Sequence, residues 1–273
     1  MDFLTRLSAA QARAGSVLCV GLDPDPDRLP EPLRDRPAME AVRDFCLAIT
    51  EATAEAACAF KPNLAFFEAL GPDGWDVLTD VLAAVPDTHL VVLDGKRGDI
   101  GTTATCYAEA LFDRLDADAC TVAPYMGRDA VVPFLQRPGR CAFVLALTSN
   151  PSAADLQLLE VGGEPLYRRV ARVAVEAGAD QPGTAGLVVG ATRPEQLSEL
   201  RQAHPGTPFL VPGVGAQGGS ADEVMEANAG GPILVNASRS VLYASPGRDF
   251  AEAAGQEAAR LAALLPYRGG PPG

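Results

Sequence analysis

The chain has 273 residues and a formal charge of −13, from 22 Lys and Arg against 35 Asp and Glu. That acidity argues against a nucleic-acid or anionic-membrane partner, because both are bound through excess Lys and Arg. Apolar residues make up 48%, well above the disordered range, and the length admits two small domains or one barrel of about 250 residues.

The start, Met1-Asp2-Phe3-Leu4-Thr5-Arg6, lacks the apolar core of an export signal, so a cytoplasmic protein is expected. Short apolar runs then recur at 17–20, 57–60, 90–93, 119–122, 143–147, 186–189, 209–211 and 233–235. Runs of this length suit parallel strands buried on both faces. Between them lie helical segments. Residues 38–56 are Ala-rich, with Phe45, Leu47 and Ile49. Residues 164–177 carry Pro165, suited to a first helical turn, and end before Gly178, a plausible stop. Residues 194–203 open with Pro194. Strands alternating with helices over this length predict an α/β fold, a (β/α)8 TIM barrel forming one domain over residues 1–273. A doubly wound open sheet is the alternative. The tail from about residue 266, rich in Gly and Pro, is expected to be loose. No apolar run reaches about 18 residues, so no spanning helix is expected.

There are two histidines, His89 and His204, and both precede strands. In a barrel they belong to the face opposite the active site, so neither a His-built zinc site nor a Ser-His-Asp engine is expected. The six cysteines show no C-x-x-C spacing and read as reduced residues. Cys19, Cys58, Cys120 and Cys141 are expected in the core. Trp75 and the Phe66-Phe67 pair are expected to pack between helices and barrel.

Active sites of such barrels sit at the C-terminal ends of the strands. That rim carries Asp23, Lys61, Asp94 with Lys96, Tyr125, Ser149, Thr192, Gln217, and Ser238 with Arg239. After the third run comes Asp94-Gly95-Lys96-Arg97-Gly98-Asp99. On an extended chain Asp94 and Lys96 point to one side, and Lys61 falls beside Asp94 on the neighbouring strand. Ammonium and carboxylate groups then alternate at the barrel mouth. At about 4 Å and an effective dielectric of about 20, unit charges interact by roughly 4 kcal/mol. A fixed ammonium can therefore stabilise a carbanion forming beside it and then donate the proton. A solvated salt-bridge network would show the same composition.

After the seventh run comes Pro212-Gly213-Val214-Gly215-Ala216-Gln217-Gly218-Gly219. Its G-x-G-x-x-G match is in the wrong place for a dinucleotide fingerprint. Such a motif follows a first strand and precedes an acidic residue by about 20 positions, a region that residues 233–235 fill with apolar side chains. A glycine loop offering backbone N–H groups to a phosphate fits better. Arg239 supplies a fork for phosphate oxygens. Ser149 and Asn150 can read a polar ring or cap a turn.

Asp94-x-Lys96-x-x-Asp99 with Lys61 upstream resembles the signature of the orotidine 5′-phosphate decarboxylase family. The stretches Asp94 to Ala104 and Phe60 to Glu68 resemble its longer-chain bacterial subgroup, and the likeness runs from Gly21-Leu22-Asp23 to Asn236-Ala237-Ser238-Arg239. The resemblance implies a cofactor-free decarboxylation of orotidine 5′-phosphate to UMP and CO2. Lys96 would protonate C6, Asp94 would lie near the departing carboxylate, and Lys61 would bridge Asp94 and the ribose. It assigns a ribose hydroxyl to Asp23, the base to Ser149 and the 5′-phosphate to Gln217 and Arg239. It further implies a homodimer in which Asp99 and Thr103 reach the partner's site. No metal is implied. Two other readings stand beside it: a magnesium-dependent sugar-phosphate decarboxylase or aldolase, and a nucleotide-binding barrel without catalysis. The related magnesium enzymes resemble one another in placing a metal-binding Glu where Lys61 stands, and a lysine there repels a divalent cation. No phosphoribosyltransferase segment is recognisable, so a fused bifunctional chain is not expected.

Overall fold

In the computed structural model, which describes residues 1–215 and 218–269, each of the eight apolar runs becomes a parallel strand. They are β1 (Leu18–Leu22), β2 (Ala59–Pro62), β3 (Leu90–Arg97), β4 (Ala119–Val122) and β5 (Cys141–Leu147), then β8 (Thr184–Val189), β9 (Phe209–Pro212) and β10 (Ile233–Ala237). A two-stranded antiparallel hairpin, β6 (Glu160–Val161) and β7 (Glu164–Pro165), lies between β5 and β8 outside the main sheet. The parallel strands close in the order β1-β10-β9-β8-β5-β4-β3-β2, which is the (β/α)8 barrel. The helices are α1 (Phe3–Ala14), α2 (Ala38–Thr53), α3 (Leu64–Glu68), α4 (Gly74–Ala83), α5 (Gly101–Ala108), α6 (Leu166–Gly178), α7 (Pro194–Ala203), α8 (Ala221–Asn228), α9 (Arg239–Leu242) and α10 (Phe250–Leu264).

Period-two alternation divides the strand residues between two cores. Leu18, Val20 and Leu22 of β1 face outward, into a layer shared with Phe45 and Ile49 of α2 and Leu261 of α10. Cys19, Ala59, Val92, Ala119, Cys141, Phe143, Val188, Leu210 and Leu234 form an inner cluster with Phe3, Leu7 and Ala10 of α1. The amphipathic α1 therefore acts as a stopper in the barrel floor. Its polar side chains grip the N-terminal strand ends: Gln11 bonds the carbonyl of Ile233, Arg13 that of Ala57, and Arg6 pairs with the buried Asp118. Cys19, Cys58, Cys120 and Cys141 are buried, as their apolar neighbours require, and Cys46 joins them. His89 lies at the floor, with Nε2 2.7 Å from the Ala54 carbonyl.

Several local expectations change. The helix expected from 164 begins at Leu166, because Glu164 and Pro165 pair in the hairpin. α6 does end at Gly178, though not through a left-handed cap. A Cβ there would meet Ala185 Cβ at 2.7 Å, so the position serves close helix–strand approach. Phe67 is buried, but Trp75 is exposed on α4. The tail is held as far as Tyr267. Pro266 bridges Ser16, the Tyr267 N–H donates to the Gly15 carbonyl at 3.0 Å, and its hydroxyl lies 2.6 Å from Ser8 Oγ. Residues 270–273 are outside the described residues.

Inside the barrel, Gly186 pairs with Phe143 across β5 and β8, and a Cβ there would lie 2.6 Å from the ring and 2.9 Å from the Pro208 carbonyl. The Gly186→Val substitution is expected to cost about 1–3 kcal/mol by overpacking. Urea unfolding checks it, and an unchanged midpoint would mean that the ring can move aside.

Candidate active site

The same alternation that fills the barrel interior builds the site one step higher. Two residues beyond Ala59 comes Lys61; beyond Val92, Asp94; beyond Ala119, Thr121; beyond Leu234, Asn236. Apolar side chains thus fill the lower barrel, and polar ones continue the same inward rows toward the mouth.

Asp94 is the hub. Its Oδ2 accepts from Lys61 Nζ at 2.9 Å. Its Oδ1 accepts from Lys96 Nζ at 2.6 Å and from Thr121 Oγ1 at 2.8 Å. Lys61 Nζ also lies 3.8 Å from Asp23 Oδ1. The other Asp23 oxygen accepts from Ser238 Oγ, and the Asp23 carbonyl accepts from the Tyr243 hydroxyl at 3.0 Å. Lys61 is 3% exposed, whereas the Lys96 side chain is 49% exposed and reaches into the cavity.

Asp94 and Lys96 do share a side, but simple extension is not the reason. The β3–β4 register shifts between Leu93 and Arg97, and Lys96 adopts a left-handed φ of 45°. Such a conformation costs a non-glycine residue about 1–3 kcal/mol and persists only where its surroundings hold it. Here the Lys96 N–H donates to Thr121 Oγ1 at 2.9 Å, so one hydroxyl ties the bent backbone to the carboxylate that the lysine side chain meets.

Burial alone would lower the Lys61 ammonium. Asp94 and Asp23 outweigh it and hold the group above its ordinary range. Burial likewise pushes Asp94 up, but the two lysines hold its carboxyl well below the usual carboxylate range. Lys61 and Asp94 therefore stay charged at neutral pH, as a fixed array.

These groups line a cavity of 340 Å³, opposite a wall of Leu145, Val188, Leu210 and Pro212. The volume suits a small-molecule site, apolar on one side and polar on the other. Of the residues singled out from sequence, Asp23, Lys61, Asp94, Lys96, Ser149, Asn150, Ser238 and Arg239 line this cavity, whereas Tyr125 and Thr192 do not. Nor do Asp99 and Thr103. Asp99 Oδ1 accepts the Ile100 N–H at 2.8 Å, and Thr103 is exposed on α5. Gln217 lies outside the described residues. In the glycine loop, Gly213 (φ 104°), Gly215 (φ 79°) and Gly218 (φ 85°) all need glycine's freedom. The amides of Gly215, Gly218 and Gly219 bond within the loop rather than opening onto the cavity. Thr121 and Asn236 were missed, although the inward rows beginning at Ala119 and Leu234 signal both. Among the described residues no group of three or more His, Cys, Asp or Glu is placed to hold a metal ion.

Fold and site together define a (β/α)8 barrel with interlocked lysines and aspartates at the mouth of a small-molecule cavity. Within that class the placement is specific. Residues 16–254 match the model of the orotidine 5′-phosphate decarboxylase / HUMPS family, and the chain belongs to this family. It is 49% identical over 258 residues to the orotidine 5′-phosphate decarboxylase of Azoarcus sp. strain BH72, covering 93% of this chain and 94% of that one. The structure of Leishmania donovani OMP decarboxylase is similar with a TM-score of 0.82 and 39% identity, covering 97% of this chain and 98% of that chain. Leishmania donovani UMP synthase is similar with a TM-score of 0.83 and 41% identity; the match covers 96% of this chain but 57% of that longer one. No helix among the described residues is long and apolar enough to cross a membrane.

Proposed function

We infer that the chain is an orotidine 5′-phosphate decarboxylase of pyrimidine biosynthesis, acting in the cytoplasm without a metal and giving UMP and CO2. The observation that carries this reading is the Lys61–Asp94–Lys96 array, with the half-exposed Lys96 ammonium 2.6 Å from a carboxylate held ionised. The substrate carboxylate enters beside Asp94. The bond from C6 to that carboxylate breaks, CO2 leaves, and the electron pair stays on C6 in the ring plane. The π system cannot absorb it there, so external charge must. Lys96 stabilises the pair, delivers its proton to C6, and recovers one from solvent.

Lys61 bridges Asp94 and the ribose, and Asp23 binds a ribose hydroxyl. Ser149 reads the base, while Gln217 and Arg239 hold the 5′-phosphate. Asp99 and Thr103 complete the cavity of a second copy in a homodimer. Two facts support that last assignment: neither residue lines its own chain's cavity, and Ile100, Tyr107, Tyr125 and Met126 are exposed around the neighbouring ends of β3 and β4. The acidic chain has no nucleic-acid partner in this reading.

The magnesium-dependent reading takes its support from relatives that place a metal-binding Glu where Lys61 stands. That place holds an ammonium between Asp23 and Asp94, which supplies the positive charge itself. Purified protein is expected to consume orotidylate, followed by its ultraviolet absorbance, equally with and without a chelator. Loss of turnover in chelator would return the magnesium reading, and UMP binding without turnover the binding-barrel reading.

A further inference from the structure

β4 sets one residue against three of β3. Leu93 is in register with Cys120 and Arg97 with Val122, so Asp94, Gly95 and Lys96 share Thr121 as their counterpart on β4. A bulge of this kind interrupts the ladder and re-aims side chains, and bulges gather next to active sites. Both shoulders are held by backbone: Asp94 bridges Asn63 just past β2, and the Ala123 N–H donates to the Arg97 carbonyl at 2.8 Å. At the crest, the N–H of the left-handed Lys96 donates to a side chain, Thr121 Oγ1, at 2.9 Å.

Thr121 is 2% exposed, and its hydroxyl has one proton to give. An ionised carboxylate only accepts, so that proton goes to Asp94 Oδ1, 2.8 Å away, and a lone pair is left for the Lys96 N–H. The same Asp94 oxygen takes the Lys96 ammonium at 2.6 Å. A closed ring results. Lys96 is fastened to Thr121 by its backbone and to Asp94 by its side chain, and Thr121 is fastened to Asp94. A valine has nearly the same shape but can make neither bond.

We propose that Thr121 is a positioning residue of the reaction: its hydroxyl fixes where the Lys96 ammonium stands relative to Asp94, and hence to the reacting carbon. This rests on the decarboxylase reading. Thr121 moves no proton to the substrate; it acts through Lys96 and Asp94. Without the hydroxyl, the Lys96 backbone is free to leave the left-handed region, which a non-glycine residue keeps only while its surroundings hold it, and the ammonium moves with it. Misplacing a reacting group by about 1 Å costs about a hundredfold in rate. Product binding asks less of this ring, because UMP has no carboxylate to set beside Asp94.

Orotidylate turnover and calorimetric UMP binding, measured on the wild type, Thr121→Val and Thr121→Ser, test the proposal. Thr121→Val deletes the hydroxyl, and Thr121→Ser keeps it. Thr121→Val is expected to lower kcat by about a hundredfold while UMP affinity stays at the wild-type value, which also reports that the variant is folded. Thr121→Ser is expected to recover most of the lost rate. Wild-type kcat in Thr121→Val, or a Thr121→Ser variant as slow as Thr121→Val, overturns the assignment. So does a parallel loss of kcat and UMP affinity, which would mark Thr121 as merely structural. A wild type that turns over no orotidylate would instead remove the decarboxylase reading, so the two failures are distinct.

Discussion

Lys96→Ala is expected to lower orotidylate turnover by at least about a thousandfold while leaving stability nearly unchanged. A charge of roughly 4 kcal/mol at the developing carbanion, expressed only in the transition state, is about three powers of ten in rate. The stability side follows from exposure. The Lys96 side chain is 49% exposed and makes one ion pair, and pairs of that kind contribute about 0–1 kcal/mol. Asp94 keeps Lys61 and Thr121 when Lys96 is shortened. Steady-state kinetics and thermal unfolding on one preparation check both halves. Full activity in the variant would remove Lys96 from the chemistry, and a collapsed fold would show that its charge had been structural.

Asp94→Ala should do the reverse to the fold: it is expected to cost about 3–5 kcal/mol as well as activity. Removing one partner of a buried pair strands the other. Lys61, 3% exposed, would keep only Asp23 at 3.8 Å. The pH dependence has a definite sign. The native Asp94 carboxyl is held below its unfolded value of about 3.9, so its contribution is complete above that value. It is lost as pH falls toward the depressed native value. Urea unfolding from pH 7 to pH 3 should therefore show wild type and variant converging toward acid. A gap of constant size across that range would show that the ionised carboxylate is not what stabilises the wild type.

Most of the fold was legible in the sequence because a parallel strand buried on both faces must be apolar throughout, and eight such runs stand out. Their C-terminal ends were less legible. β2, β3 and β10 run past their apolar cores to Pro62, Arg97 and Ala237, carrying Lys61, Asp94 and Asn236 inward, and hydrophobicity cannot count polar residues that belong to the interior. Thr121 was hidden inside an apolar run for the complementary reason. The β6–β7 hairpin has only two residues in each strand, too few for any periodicity. The bend at Lys96 was illegible because nothing in its residue type announces a left-handed backbone; the hydroxyl across the β3–β4 gap holds it. Asp94, Lys61 and Lys96 could be paired from strand neighbours alone. Asp99 and Thr103 could not be placed by one chain's sequence, and they do not line this chain's cavity.

The stopper helix and the strapped tail also decide how the polypeptide can be extended. Tyr267 is held at Ser8 and Gly15 below β1, and Met1 lies beside Gly139 just before β5, so both ends of the described chain lie on the floor side, across the barrel from one another and away from the cavity. A fused module or an affinity handle at either end would hang from the underside, and nucleotide traffic through the mouth would go on unobstructed.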